Sequence, residues 1–288
     1  MITFWQALIL GIIQGLTEFL PISSTAHMTL TGKLLGAMDR LSPEQWTAFM
    51  AVIQLGTLLA VLLYFAPDLL AITREFIAGN IYYLKGKDMV LSPNARLGWY
   101  IIIGSFPIVA FGLLFKKHIE GIFTKNLYVI SISLIVWAIF LAFAEIHGRR
   151  IRTVEQLTIF DAILVGIAQA FALIPGSSRS GTTITAGLFV GLTRESAARF
   201  SFLLSIPSIF GAGIYELYKY RHEIEKQLLV ERNFSIIVAT VVAAIVGYIA
   251  IDLLMRYLQT HTTYVFVGYR IILGVIILAL VLAKVVNA

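Results

Sequence analysis

Gln14-Gly-Leu-Thr-Glu-Phe-Leu-Pro-Ile-Ser-Ser-Thr-Ala-His27 lies inside an apolar run, yet it carries Glu18, Ser23, Ser24, Thr25 and His27. A lipid-facing helix does not hold such a cluster, because ionisable groups at membrane depth are costly and face a protein interior or a cavity. Pro21 stops the preceding helix, since proline lacks a backbone donor and restricts the residue before it. A second apolar run is broken the same way by Pro175-Gly-Ser-Ser-Arg-Ser-Gly-Thr-Thr183, which carries Arg179. The remaining chain reads as a frame that brings the two breaks together.

The frame is a membrane one. Of 288 residues, 59% are hydrophobic and only 13% charged, against about a quarter charged in a soluble domain. Runs such as Phe49–Ala66 and Ile236–Ile251 have the length and character of spans. The net charge of +6 is scattered among loops with no basic block, which argues against nucleic acid and for membrane lipids as the partner. The absence of cysteine excludes disulfides and thiolate metal sites. No Lys or Arg precedes Trp5–Gln14, so the first segment is expected to remain in the mature protein. With no linker or low-complexity tract, residues 1–288 read as a single membrane domain.

Ten helical segments follow from apolar length and breakers. The first, about Thr3–Leu20, stops at Pro21, and the second, about Thr25–Ala37, is too short to span. The third, about Gln45–Phe65, can cross. A polar loop over Pro67–Arg96, with room for a surface helix, precedes spans at about Leu97–Phe115 and Leu127–Ile146. The sixth segment, about Leu157–Ile174, stops at Pro175, and the seventh, about Ser180–Gly191, is again short. Spans at about Arg194–Tyr220, Phe234–Tyr257 and Thr263–Val286 complete the chain.

The order long, break, short, three spans thus occurs twice, in a first repeat of about 1–150 and a second of about 151–288. Gly11-Ile-Ile-Gln14 matches Gly166-Ile-Ala-Gln169, Pro21-Ile-Ser-Ser24 matches Pro175-Gly-Ser-Ser178, and Gly32 and Gly36 match Gly187 and Gly191. If each long–short pair is a re-entrant hairpin, the three intervening spans place the second hairpin on the opposite face. The expected fold is therefore an all-α polytopic membrane protein of two inverted-topology repeats, each a re-entrant helix hairpin plus three transmembrane helices. Positive charges divide evenly between the two sides and assign no orientation. Arg40, Lys116, Lys117, Lys125, Lys219, Arg221, Lys226 and Arg232 fall on one, and Arg74, Lys85, Lys87, Arg96, Arg149, Arg150, Arg152 and Arg194 on the other.

Gln14 and Glu18, four apart, share one helix face. Glu18 reads as a metal ligand or base, or as the structural partner of Arg179. Ser23, Ser24 and Thr25 read as helix caps unless His27 activates one of them. The second break sets hydroxyls, backbone N–H groups and the Arg179 fork at a helix N-terminus, an arrangement suited to phosphate. Glu195 with Arg199, and Asp252 with Arg256, read as i,i+4 pairs. Arg270 reads as snorkelling or paired, and Glu145, Asp161 and Glu216 lie near helix ends. Together the two breaks suit hydrolysis of a phosphate ester or diphosphate on a lipid tail.

These residues resemble the bacterial undecaprenyl-diphosphate phosphatase family, associated with bacitracin resistance. Its first motif is matched by Gln14, Glu18, Pro21, Ser23, Ser24, Thr25 and His27, and its second by Pro175, Gly176, Ser178, Arg179, Ser180, Gly181 and Thr183. Gln14 stands where some members carry Glu. The resemblance implies a bacterial inner (plasma) membrane enzyme whose site opens to the outer, periplasmic face. It implies a divalent cation, Mg or Ca, and hydrolysis of a C55 polyprenyl diphosphate to the monophosphate carrier used for peptidoglycan. The role assignment is our own inference from these residues: Glu18 binds the metal, directly or through water, or acts as base, Ser24 is the nucleophile with His27 as acid/base partner, and Arg179 with Ser178 and Thr183 holds the diphosphate. Gln14, Ser23, Thr25 and Ser180 complete the substrate site. His27 as nucleophile is the rival assignment. A transporter or flippase of a polyprenyl phosphate is the alternative function, and a homodimer stays open.

Overall fold

The computed structural model describes residues 2–85, 90–115, 126–225 and 234–284. Among them the chain is helical, apart from one isolated bridge between Arg152 and Leu192. Helix α1 (Phe4–Phe19) is followed by α2 (Ser24–Leu34), α3 (Pro43–Tyr64), α4 (Ala66–Leu84), α5 (Pro93–Leu114) and α6 (Leu127–His147). Then come α7 (Ile159–Ala170), a 3-10 turn (Phe171–Leu173), α8 (Arg179–Phe189), α9 (Arg194–Lys219), the short α10 (Arg221–Glu225), α11 (Ser235–Thr260) and α12 (Tyr264–Leu282). Six of these, α3, α5, α6, α9, α11 and α12, are long and apolar enough to cross a membrane. They are the six spans expected from the sequence.

The polar stretch after Pro67 does hold a helix: α4 runs for 19 residues, with Pro67 at its start and Asp68 in its first turn, positions where proline and an acidic residue both suit a helix. One expectation changes. Glu195 and Arg199 do not pair. Arg199 instead reaches Asp68 at 3.0 Å and Glu155 at 3.2 Å, while Glu195 accepts from Gln259 at 3.2 Å. Packing of α9 against neighbouring segments offers Arg199 better-placed acids than its own helix does. Asp252 and Arg256 do pair, at 3.0 Å. Lys87, Lys116, Lys117, Lys125, Lys226 and Arg232, and the end of the last expected span, lie outside the described residues.

The two glycines of the repeated Gly-Ile-x-Gln motif are close-approach points. A side chain at Gly11 would overlap Ala239 of α11, and one at Gly166 would overlap Gly104 of α5. Small residues let membrane helices approach backbone to backbone. So α1 lies on α11, α7 lies on α5, and α6 lies beside α12. Phe19, Phe65 and Phe202 pack edge-on or tilted beneath the end of α1. Glu145 is buried and joins three helices, bonding Arg150 at 2.8 Å, Arg194, and the Thr263 hydroxyl at 2.7 Å. These contacts hold the two broken helices in the interior, where their tips meet.

Candidate active site

Both breaks are built alike. Leu20 turns extended ahead of Pro21, ending α1. Ser23 then caps α2 from a left-handed conformation, φ 76°, accepting from the Ala26 N–H. Ser178 caps α8 at φ 69°, accepting from the Gly181 N–H. A non-glycine residue at positive φ is uncommon and persists only where the surroundings enforce it. The matched residues are therefore Ser23 and Ser178, which corrects the pairing of Ser24 with Ser178 read from the sequence. The second break carries one more residue between its proline and its cap. Gly176, at φ 89°, takes up the extra turn against Ile130, where a side chain would overlap backbone.

The correction gives the site its logic, because the first residue of α2 is Ser24 and the first of α8 is Arg179. Both reach the same carboxylate. The Ser24 hydroxyl donates to Glu18 Oε2 at 2.7 Å, and Arg179 Nη2 pairs with Glu18 Oε1. Gln14 Nε2 donates to Oε2 at 2.9 Å, and Gln54 Nε2 from α3 donates to Oε1 at 3.2 Å. Glu18 is buried, and these four donors offset the cost of its charge. Ser180 donates to the Leu20 carbonyl at 3.0 Å, tying the second break to the first.

The structure brings Ser24 to Glu18 rather than to His27. His27 Nδ1 lies 2.7 Å from the Ser23 carbonyl, and Nε2 lies 2.6 Å from the Tyr269 hydroxyl. A carbonyl only accepts, so Nδ1 carries the proton and a neutral His27 receives the Tyr269 proton at Nε2. Thr183 donates to the Arg179 carbonyl at 2.7 Å and shares a 2.5 Å bond with Ser201, so it braces α8 against α9. Ser178 and Ser180 share a bond at 3.2 Å. Thr25 is half-buried at the second position of α2, outside this bonding network.

Sequence reasoning missed Gln54, Ser201, Ser208 and Tyr269, which reach the site from spans that look ordinary in isolation. Ser208 lies 3.5 Å from Arg179 Nη1 and donates to Gln169 at 3.2 Å. Arg270, read as snorkelling or paired, is instead fully buried between the breaks. Among the described residues no three His, Cys, Asp or Glu side chains gather to hold a metal. The buried Gln14 Oε1, one turn from Glu18, has no hydrogen-bond partner. Beside the second break, Phe111 of α5 and Phe115, just past its end, face Ile167, Phe171 and Ile174 across an apolar cavity of about 300 Å³.

A buried carboxylate flanked by a hydroxyl and a guanidinium, at two facing helix N-termini, can activate an oxygen and hold an anion in the same place. Comparison with known proteins agrees on the kind of protein this is. Residues 7–276 match the family model described as bacitracin resistance protein BacA. The chain is 52% identical over 271 residues to the undecaprenyl-diphosphatase of Syntrophobacter fumaroxidans, covering 93% of this chain and 94% of that one. It is 50% identical over 278 residues to the undecaprenyl-diphosphatase of Chlorobaculum tepidum, covering 94% of each. With that of Chloroherpeton thalassium it shares 49% over 282 residues, 96% of this chain and 95% of the relative. On the match across nearly its whole length, this multi-pass membrane protein belongs to the BacA family of bacitracin resistance proteins.

Proposed function

We propose that the protein hydrolyses undecaprenyl diphosphate to undecaprenyl phosphate and inorganic phosphate, returning the lipid carrier to peptidoglycan synthesis. The observation that carries this reading is Glu18 held between Ser24 and Arg179 at the first residues of α2 and α8. The relatives' printed activity supports it, and the apolar cavity beside the second break suits the start of a prenyl tail.

Ser24 attacks the terminal phosphorus while its proton passes to Glu18 Oε2, 2.7 Å away. The new Ser24 oxygen–phosphorus bond forms as the bond to the bridging oxygen breaks, and polyprenyl phosphate leaves. Water then attacks the phosphoserine, its proton passing to His27 Nε2 once the Tyr269 hydroxyl has turned away and from there to the departing phosphate, and Glu18 returns the first proton to Ser24. Arg179 turns from Glu18 toward the phosphoryl oxygens, where its planar fork and the N-terminus of α8 stabilise the charge in transfer. Mg or Ca suits the donors present: Glu18 and the unpartnered Gln14 Oε1 would hold it together with substrate phosphates, since both cations take oxygen ligands such as carboxylates and carbonyls. Held there, it would supply charge neutralisation to the diphosphate.

The two halves are inverted repeats, with α1–α2 and α7–α8 as re-entrant hairpins entering from opposite faces. Equal 11-residue helices α2 and α8, matched serine caps, and the reciprocal packing of α1 on α11 and α7 on α5 support this. In the bacterial plasma membrane the site opens to the outer face. An impermeant thiol reagent labelling Tyr269→Cys from outside intact cells tests that, and labelling only after lysis refutes it.

Hydrolysis is tested with purified protein in detergent, polyprenyl diphosphate, and Mg or Ca. Phosphate release that EDTA stops is the expected result. Folded protein that releases none under either metal leaves the lipid-transporter reading in its place.

A further inference from the structure

Arg270 of α12 is fully buried, and among the described residues no carboxylate pairs with it. Its donors all reach backbone carbonyls. Nη1 bonds Pro21 O at 3.1 Å in the first break, and Nη2 bonds Gly176 O at 3.3 Å and Ser177 O at 2.9 Å in the second. Nε bonds Leu134 O of α6 at 3.2 Å. One guanidinium thus fastens both breaks. It also lies against the first turn of α8, where a side chain at Gly181 would overlap Nη1.

That placement is electrostatically odd for a mere fastener. A buried cation is costly to desolvate. The N-terminal end of a helix is itself positive and makes it more so. A neutral amide could bond carbonyls without either penalty. Arg179 and Arg270 together oppose the single charge of Glu18, so the buried centre carries an excess of positive charge. What such a centre lacks is an anion.

We propose that Arg270 is a positioning residue for the diphosphate: it holds the two breaks at one spacing and sets an uncompensated positive charge behind the pocket they form. The proposal rests on the phosphatase reading for the identity of the anion. Buried as it is, Arg270 does not touch the substrate. It acts by holding Ser24 and Arg179 at a common distance from Glu18 and by adding to the field that attracts the phosphates. Charge and shape are separable, because lysine keeps the charge but lacks the fork that spans both breaks.

The test uses full-length protein carrying Arg270→Lys or Arg270→Gln, with inorganic diphosphate as the probe. Diphosphate affinity is read from the shift in thermal unfolding with concentration, and kcat and KM are measured with polyprenyl diphosphate. Arg270→Gln is expected to weaken diphosphate binding by about tenfold, the scale of losing one partly screened charge several ångströms away. Arg270→Lys is expected to bind diphosphate within a few-fold of wild type while kcat falls. Wild-type diphosphate affinity in Arg270→Gln overturns the role of the charge, as does equal weakening in both variants. Wild-type kcat in Arg270→Lys overturns the role of the fork. If Arg270→Gln does not fold, Arg270→Lys alone decides, through its affinity and kcat together. If wild type binds inorganic diphosphate but does not hydrolyse polyprenyl diphosphate, the phosphatase reading fails and the affinity comparison still judges Arg270. If wild type does not bind diphosphate, the proposal is overturned.

Discussion

The two breaks share a backbone and divide the chemistry. Each ends an apolar helix ahead of a proline, the second by way of a 3-10 turn, then turns through a left-handed serine cap and starts an 11-residue helix. At the first helical residue the first break places Ser24 and the second Arg179. Three residues further on stand His27 and Thr182, and the acid itself, Glu18, comes only from the first arm. On the proposed mechanism, the first break handles protons and the second holds the anion. Two similarly built breaks bring two different side chains to the two oxygens of one carboxylate, which a single helix face cannot do.

The largest expected effect comes from erasing that difference on the proton-handling side. If Ser24 is the attacking oxygen, Ser24→Ala lowers kcat by roughly 10⁶-fold, the scale of losing a serine nucleophile, and a phosphoserine trappable at Ser24 in wild type disappears. If water attacks instead, the substitution removes one hydrogen bond and costs about 1 kcal/mol, so near-normal turnover moves the nucleophile elsewhere.

On the anion-holding side the effect is smaller. Arg179→Lys keeps a charge but loses the fork that binds Glu18 and phosphate, and kcat is expected to fall by about 10²–10³-fold. A loss confined to KM would show that Arg179 binds the ground and transition states equally. The smallest effect is at Tyr269, which belongs to neither break. Tyr269→Phe removes the hydroxyl 2.6 Å from His27 Nε2, a bond worth about 0.5–1.5 kcal/mol. A drop in kcat/KM of about tenfold or less is expected, with the His27-dependent limb of the pH–rate profile displaced. An unchanged profile would mean that the hydroxyl does not touch the working nitrogen.

Much of the site was legible because its signals are local. A proline in an apolar run, a short helix behind it, and a buried-looking acid one turn upstream can be read within a single window of residues. Glu18, Ser24, His27 and Arg179 were found that way, and the structure gathers them at the two breaks. The partner of Ser24 was not legible: whether a hydroxyl meets a histidine three residues on or an acid six residues back depends on the turn at Pro21. The matched glycines, Gly11 with Gly166 and Gly32 with Gly187, share one offset, from which the prolines depart by one residue; the structure adds where that residue sits, at Gly176 with its positive φ.

The amino-acid sequence by itself determined where helices stop, which six can span, and which residue types gather at the breaks, because these depend on propensity and burial over a few turns. Only the tertiary structure decided that α12 supplies Tyr269 and Arg270, that α3 supplies Gln54, and that Arg199 leaves Glu195 for Asp68. Such choices rest on which helices lie side by side. In this chain, glycines no larger than a backbone atom, such as Gly11 against Ala239 and Gly166 against Gly104, permit those neighbours to close on one another.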